Sequence, residues 1–154
     1  MFGTERNDPF AQINSVSSRG ARNPYLLDGQ YHLRVEKCAT LRSRDDKLFF
    51  IVELDILSST NLERPEGLRV TWMTNLQRDM GPINTKRFLS AAMGIDPDSK
   101  QADEEITSDV ARLAVGEDQP MKGMELYAQA TTIQTKAGDP FLDVKWMPIV
   151  QTVE

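Results

Sequence analysis

The chain has little of what metal sites, disulfides and membrane anchors require. Among its 154 residues there is one cysteine, Cys38, and one histidine, His32. A single cysteine cannot form an internal disulfide and a single histidine cannot build a zinc cluster, so we expect no metal, no cofactor and a reducing, cytoplasmic setting. No apolar run is long enough to span a membrane, and residues 1–20 lack the pattern of a signal peptide. We therefore expect no membrane association.

Catalytic motifs are also missing from the sequence. It contains no Walker phosphate loop, no glycine-rich dinucleotide turn after a strand and no nucleophile elbow. His32 and Cys38 would lie roughly 20 Å apart on one extended strand, too far for a nucleophile and its base. The acidic pairs at 45–46 and at 96 and 98 lack the spacing of a calcium loop. These absences predict a protein that is not an enzyme.

What the sequence does have is a distinctive order of elements. Three strand-like runs come first, two helical patterns follow, and two more strand-like runs close the chain. The strand-like runs are residues 31–38, 48–57, 68–74, 124–133 and 141–147, and the helical patterns are residues 83–93 and 103–115. Asn84 suits the N-cap of the first helix, and Gly94 suits its C-terminal end. This order predicts a mainly β protein, a five-stranded OB-fold-like Greek-key barrel with a helical insertion.

Each predicted strand alternates apolar and polar residues, which assigns one face to the interior. Both tryptophans fall on that face, unless a one-residue register shift in the third strand exposes Trp72. The interior positions are Tyr31, Leu33, Val35, Leu48, Phe50, Val52, Leu54, Ile56, Leu68, Val70, Trp72, Met124, Leu126, Ala128, Ala130, Leu142, Val144 and Trp146.

Composition divides the chain into three parts. Residues 1–24 are rich in Asn, Ser, Arg and Gly and predict a flexible arm. Residues 25–150 predict the barrel, with a helical insertion at 83–115. Residues 151–154 predict a short tail. Leu26 and Leu27 are the residues that we expect to dock on the barrel.

The net charge of −5 is unevenly distributed. Residues 30–94 hold ten Lys and Arg against eight Asp and Glu, whereas residues 95–120 hold two against eight. The acidity is therefore concentrated in the helical insertion. Because salt screens exposed charges beyond ~10 Å, this insertion leaves room for a basic groove elsewhere.

An OB barrel binds its ligand on strands two and three, between the first–second and fourth–fifth strand loops. Here those loops are residues 40–47 and 134–140. Single-strand binders combine basic groups with exposed aromatic rings on which bases stack. The predicted stacking residues are Phe49, Tyr127 and Phe141, the predicted phosphate contacts are Arg42, Arg44, Lys47, Arg69 and Lys136, and Met73 and Lys145 are further outward positions on the same surface.

The same residues admit a second interpretation. Phe49 and Ile51 also suit a covered position beneath the helices or the N-terminal arm. Arg42 and Arg44 also suit surface ion pairs with Asp45 and Asp46. The sequence leaves both alternatives open.

Several segments together resemble phage-encoded OB-fold single-stranded DNA-binding proteins. The resemblance runs from about residue 26 to 149 and is carried by Gly29-Gln30-Tyr31, Leu48-Phe49-Phe50-Ile51-Val52-Glu53, Thr85-Lys86-Arg87-Phe88-Leu89, Met121-Lys122-Gly123 and Lys136-Ala137-Gly138-Asp139. It implies sequence-tolerant, non-catalytic coating of single-stranded DNA in the bacterial cytoplasm, during phage replication or recombination. It also implies replication or recombination proteins as partners, and it is compatible with a homo-oligomer.

The alternative function is that of a structural or adaptor protein. In that case the barrel and its arm dock to other subunits of a virion or replisome, and exposed apolar residues such as Phe49, Ile51 and Met73 form an interface.

Overall fold

Alternating apolar residues build a five-stranded antiparallel sheet. The computed structural model describes residues 23–149. The strands are β1 (Gly29–Arg42), β2 (Leu48–Ser59), β3 (Arg69–Asn75), β4 (Glu125–Gln134) and β5 (Pro140–Pro148). They pair in the order β3-β2-β1-β4-β5. The mainly β class and all five strands are thus confirmed, with ends that differ from the predicted ones by a few residues.

The sheet is not closed. Strands β3 and β5 form its two edges, and no hydrogen-bonded ladder joins them within residues 23–149. The edges nevertheless meet through their inward side chains, because the ring centroids of Trp72 on β3 and Trp146 on β5 lie 4.9 Å apart. The sheet therefore curls around one core.

The first helix, α1 (Met80–Ala92), begins earlier than predicted. Its N-cap is Asp79, so the prediction of Asn84 as the N-cap was wrong. The physical reason is Pro82, which fits the first turn because the N–H that proline lacks would have no helical partner there. The helix ends at Ala92 with Met93 as its C-cap, one residue before the predicted end. Gly94 follows in the predicted left-handed position, with φ +82° and its N–H donating to the Ala91 carbonyl.

The second predicted helix is two short helices, α2 (Lys100–Glu105) and α3 (Ser108–Ala114). The Ser99 and Thr107 side chains accept hydrogen bonds from the backbone N–H groups of Ala102 and Val110. Thr107 therefore starts a new helix where the apolar spacing alone suggested a continuous one. Ile106, between the two helices, is buried in the core.

Strand β1 extends well past the predicted end because it contains a bulge. Between Val35 and Lys37 the pairing with β2 shifts, so that Glu36 is an extra residue. The bulge places both Val35 and Cys38 on the buried face. Burial raises the pKa of the Cys38 thiol to about 12, so the thiol stays protonated and unreactive at neutral pH.

The predicted interior positions form the core. Leu48, Leu68, Met124, Leu142 and Val144 are partly buried and the other thirteen are buried. Helix α1 adds Phe88, whose ring centroid lies 5.0 Å from that of Trp146. No register shift occurs between β2 and β3, and Trp72 is buried. Leu26 is buried beside β3, where the Leu26 N–H donates to the Thr71 carbonyl.

The predicted N-terminal arm lies outside the described residues, apart from residues 23 and 24, and so does the predicted tail at 151–154.

No helix in the described part of the chain has the length and apolar character that crossing a membrane requires.

Candidate nucleic-acid interface

The outward face of β1, β2 and β3 is divided into an apolar end and a charged end. Near the β1–β2 hairpin, Leu41 lies opposite Phe49, and Ile51 lies opposite Met73. These side chains are half-buried or exposed, and none belongs to the hydrophobic core. Within residues 23–149, Phe49 therefore lies outside the core, whereas the alternative that the N-terminal arm covers it falls on residues outside the described range.

The opposite end of the same face is charged, and it contains Arg69. The Arg69 Nε lies 2.7 Å from an Asp55 oxygen, and its Nη2 lies 3.4 Å from Glu36. Arg34 approaches Asp55 at 3.5 Å and Lys122 approaches Glu36 at 3.4 Å. The structure thus places Arg69, a predicted phosphate contact, within an ion-pair network, four residues along β3 from Met73.

This network makes stability depend on pH. The hydrogen bond from Arg69 holds the pKa of the Asp55 carboxyl below its ordinary value. Because the folded pKa is lowered, the stabilisation is present above the unfolded pKa of about 4 and is lost as the pH falls through the folded value. We expect Asp55→Asn to lower the free energy of unfolding by about 1–3 kcal/mol at pH 7. The difference from wild type should shrink below about pH 4, as measured by urea unfolding at several pH values.

Asp109→Asn is the matched control for this prediction. Asp109 pairs with Arg112 on α3, but both side chains are largely exposed, so the change should barely alter stability. An Asp55→Asn effect no larger than that of the control, or one that grows as the pH falls, would contradict the stabilising role of the network.

A groove lies between the two edge strands, beside the apolar end of the face. It encloses about 310 Å³. Its lining comes from the start of β2 and the residue before it, the end of β3, the β3–α1 connection, the first turns of α1 and the start of β5. The lining residues are Lys47, Phe49, Trp72, Met73, Thr74, Asn75, Arg78, Met80, Gly81, Asn84, Phe141, Leu142 and Val144. The groove brings together four of the ten predicted binding residues, namely Lys47, Phe49, Met73 and Phe141.

Two hydrogen bonds hold together the elements around this groove. The Leu76 N–H donates to the Leu48 carbonyl at 2.8 Å, and the Gln77 side chain donates to the Asp46 carbonyl at 3.2 Å. These hydrogen bonds join the β3–α1 connection to the β1–β2 hairpin. The same connection contains Arg78. Helix α1 then begins so close to the end of β3 that only glycine fits at position 81, where an added Cβ would lie 1.9 Å from the Asn75 carbonyl oxygen.

Gly81→Ala is therefore expected to destabilise the protein, although alanine is the better helix former. The clash is with backbone atoms, which cannot rotate away, so α1 must move from β3 at a cost of about 1–3 kcal/mol or more. Urea unfolding measures this loss. Gly94→Ala is the comparison, because an added Cβ there meets no atom within 4 Å and the cost of about 1 kcal/mol arises from its positive φ alone. A Gly81→Ala protein as stable as wild type would show that the helix start is not packed this tightly.

The two predicted loops flank the groove, since Lys47 ends the first and Phe141 follows the second. Two of their cations have acidic neighbours: Arg42 lies 2.8 Å from Asp46, and Lys47 lies 3.3 Å from Asp45. Arg44 and Lys136 are exposed and have no carboxylate within 4 Å among residues 23–149. The loops thus contain both paired and unpaired cations.

Two predicted residues lie elsewhere on the sheet. Tyr127 is exposed on β4, with its ring centroid 5.1 Å from that of His32. Lys145 is exposed on β5 opposite Gln129. Neither lines the groove.

Several lining residues were not predicted to belong to a binding site, among them Thr74, Arg78 and Asn84. Pro82 was the available signal, because a proline in the first turn starts the helix near residue 80 and brings Asn84 to the groove.

No protein-family model matches the chain, and no curated protein matches it at a significant level. The function proposed below therefore depends on the chain's own residues and geometry.

Proposed function

We propose that this protein binds single-stranded DNA without catalysis and with little dependence on sequence. The observation that carries the proposal is the convergence of Phe49, Met73 and Phe141 from three strands on one groove that is edged by Lys47 and Arg78. Exposed aromatic rings beside cations are what stacked bases and a phosphate backbone require. Phage replication or recombination in the bacterial cytoplasm is the setting that the sequence resemblance implies.

We further propose that the curled sheet is a partly open OB barrel. Its support is the strand order, with three antiparallel strands before the helices and two after them, and the approach of β3 to β5 through Trp72 and Trp146. In this fold, ligands bind beside strands two and three and the two flanking loops. The groove and the apolar end of the outer face occupy that region here.

The small number of cations on this surface predicts a moderate affinity for DNA. Arg44, Arg78 and Lys136 have no acidic partner within 4 Å among the described residues, while Arg42 and Lys47 pair with exposed carboxylates. Exposed ion pairs are worth little, so a phosphate can replace the carboxylate at small cost. Each phosphate contact adds about 0.7 to the negative slope of log K against log salt for a single strand. Three contacts therefore predict a slope of about −2.

The direct test is fluorescence anisotropy with a labelled oligo-dT at low and moderate salt, with a duplex of equal length as control. We expect single-strand-selective binding that weakens with salt, and an Arg44→Ala variant with a shallower slope. Lys100→Ala is the matched control, because Lys100 is an exposed cation on α2 that does not line the groove. Absence of binding at low salt, or equal binding of the duplex, would refute the proposal.

A second candidate function is that of an adaptor, and the apolar surface favours it. Leu41, Phe49, Ile51 and Met73 form a patch outside the core, on a chain whose net charge is −5. Such patches mark protein interfaces as well as nucleic-acid sites. Association through this patch, with a second copy or with another protein, would be insensitive to salt. DNA binding through the phosphate contacts above would weaken as the salt concentration rises.

A further inference from the structure

The wall of the groove includes polar side chains as well as aromatic rings. Thr74, Arg78 and Asn84 all line the groove. Within residues 23–149 their side chains make no hydrogen bond to another residue, whereas neighbouring polar residues do. The Asn75 carboxamide, for example, accepts the Gln77 N–H at 2.9 Å, and the Thr85 hydroxyl donates to the Gly81 carbonyl at 2.9 Å. Thr74, Arg78 and Asn84 therefore present unused polar groups that a ligand in the groove can bind.

The fold brings these groups together from separate elements. Thr74 follows Trp72 on the inward side of β3, at the end of the strand. Asn84 lies one turn after Gly81 on α1, and the tight contact at Gly81 holds that turn against the end of β3. Arg78 lies in the short connection between them. Their relative positions are therefore set by the sheet and the helix start rather than by a long loop.

The groove has the size and walls for one nucleotide. Its volume of about 310 Å³ is near the lower limit for small-molecule pockets, ~300–1,000 Å³. Phe49 and Phe141 contribute rings, and the partly buried Leu142 and Val144 make the wall on β5 apolar. A base has the flat apolar faces that such walls accept, together with a polar edge and a phosphate that the three unused groups can bind.

We infer that the groove holds one unpaired nucleotide of the bound strand, with Asn84 and Thr74 on the base edge and Arg78 on its phosphate. This inference rests on the proposed function and adds a local base preference to it. An asparagine amide has both a donor and an acceptor, so it discriminates between bases by the order of groups on their edges. A base that presents the wrong order leaves the amide unpaired, which weakens binding about fivefold or more.

The test is a competition series that uses anisotropy and ten-nucleotide oligo-dT, oligo-dA and oligo-dC at one salt concentration. We expect the wild-type protein to separate the best and worst of these by about fivefold or more. Asn84→Ala should reduce that ratio towards the value set by stacking alone. Thr74→Val, which replaces the hydroxyl with a methyl group of similar size, should reduce the ratio in the same direction. Arg78→Ala should weaken all three about equally. Gln101→Ala, an exposed amide on α2, should change nothing.

The outcomes separate the inference from the function on which it rests. If oligo-dT binds but the ratio is the same in wild type, Asn84→Ala and Thr74→Val, each shown to be folded by circular dichroism, the inference is wrong and the function stands. If no homopolymer binds wild type at low salt, both are wrong. A mononucleotide that competes as strongly as the ten-mer would mark a pocket for free nucleotides and would also overturn the inference.

Discussion

Replacing Phe49 and Phe141 together with alanine is expected to weaken oligo-dT binding by at least about 30-fold, since each stacked base contributes about 1–3 kcal/mol. Both rings line the groove, and Phe141 is 44 % exposed. Neither ring belongs to the core, so the double variant should keep nearly the wild-type free energy of unfolding. Anisotropy and urea unfolding on the same samples measure the two quantities.

Two single variants serve as controls for this prediction. Leu113→Ala removes an exposed apolar side chain from α3 and should leave DNA binding intact. Tyr127→Ala removes an exposed ring on β4 that does not line the groove. Its effect on binding shows whether the bound DNA extends beyond the groove and across β4. A double phenylalanine variant that binds as tightly as wild type would refute stacking in the groove. One that unfolds would show that the rings support the fold after all.

The strands were predictable because apolar and polar residues alternate along them, and the strand whose length was most underestimated was β1, where the bulge at Glu36 breaks the alternation. Only one face of each strand packs on the core, so a period of two reports directly on burial. The helices were less predictable because local signals compete there. Pro82 lies in the first turn of a helix that was predicted to start only at residue 83, and Thr107 starts a helix in the middle of what looked like one pattern. Caps depend on single side chains, which an apolar pattern does not reveal.

The candidate site was only partly predictable for a different reason. Phe49 and Met73 were found because alternation places them outward. Arg69 was also assigned outward, but its engagement with Asp55 depends on the β2–β3 register, which pairs those two residues. Asn84 and Arg78 approach the groove only because α1 packs against the end of β3. Such contacts between distant elements leave no periodic signal in the sequence.

The approach of the two edge strands depends on a cluster of aromatic rings. Trp146 is buried, and its ring centroid lies 4.9 Å from that of Trp72 and 5.0 Å from that of Phe88, both in edge-to-face geometry. These contacts join β5 to β3 and to α1. No ladder joins β3 to β5 among the described residues, so the rings carry much of the attraction between the two edges.

Trp146→Ala is accordingly expected to lower the free energy of unfolding by about 3–5 kcal/mol, a large part of the 5–15 kcal/mol typical of a domain. Urea unfolding would show a midpoint at a lower urea concentration. DNA binding should weaken because β5, which contributes Phe141, Leu142 and Val144 to the groove, is held less firmly against β3. Trp146→Phe is the matched variant: it keeps a ring in place and removes the indole N–H, which is buried without a hydrogen-bond partner among the described residues. Because that unpaired donor is itself destabilising by about 1–3 kcal/mol, the phenylalanine variant should lose far less stability than the alanine variant. Equal losses in the two variants would mean that the indole N–H has a partner. A loss below about 1 kcal/mol for Trp146→Ala would mean that the edges are held together elsewhere.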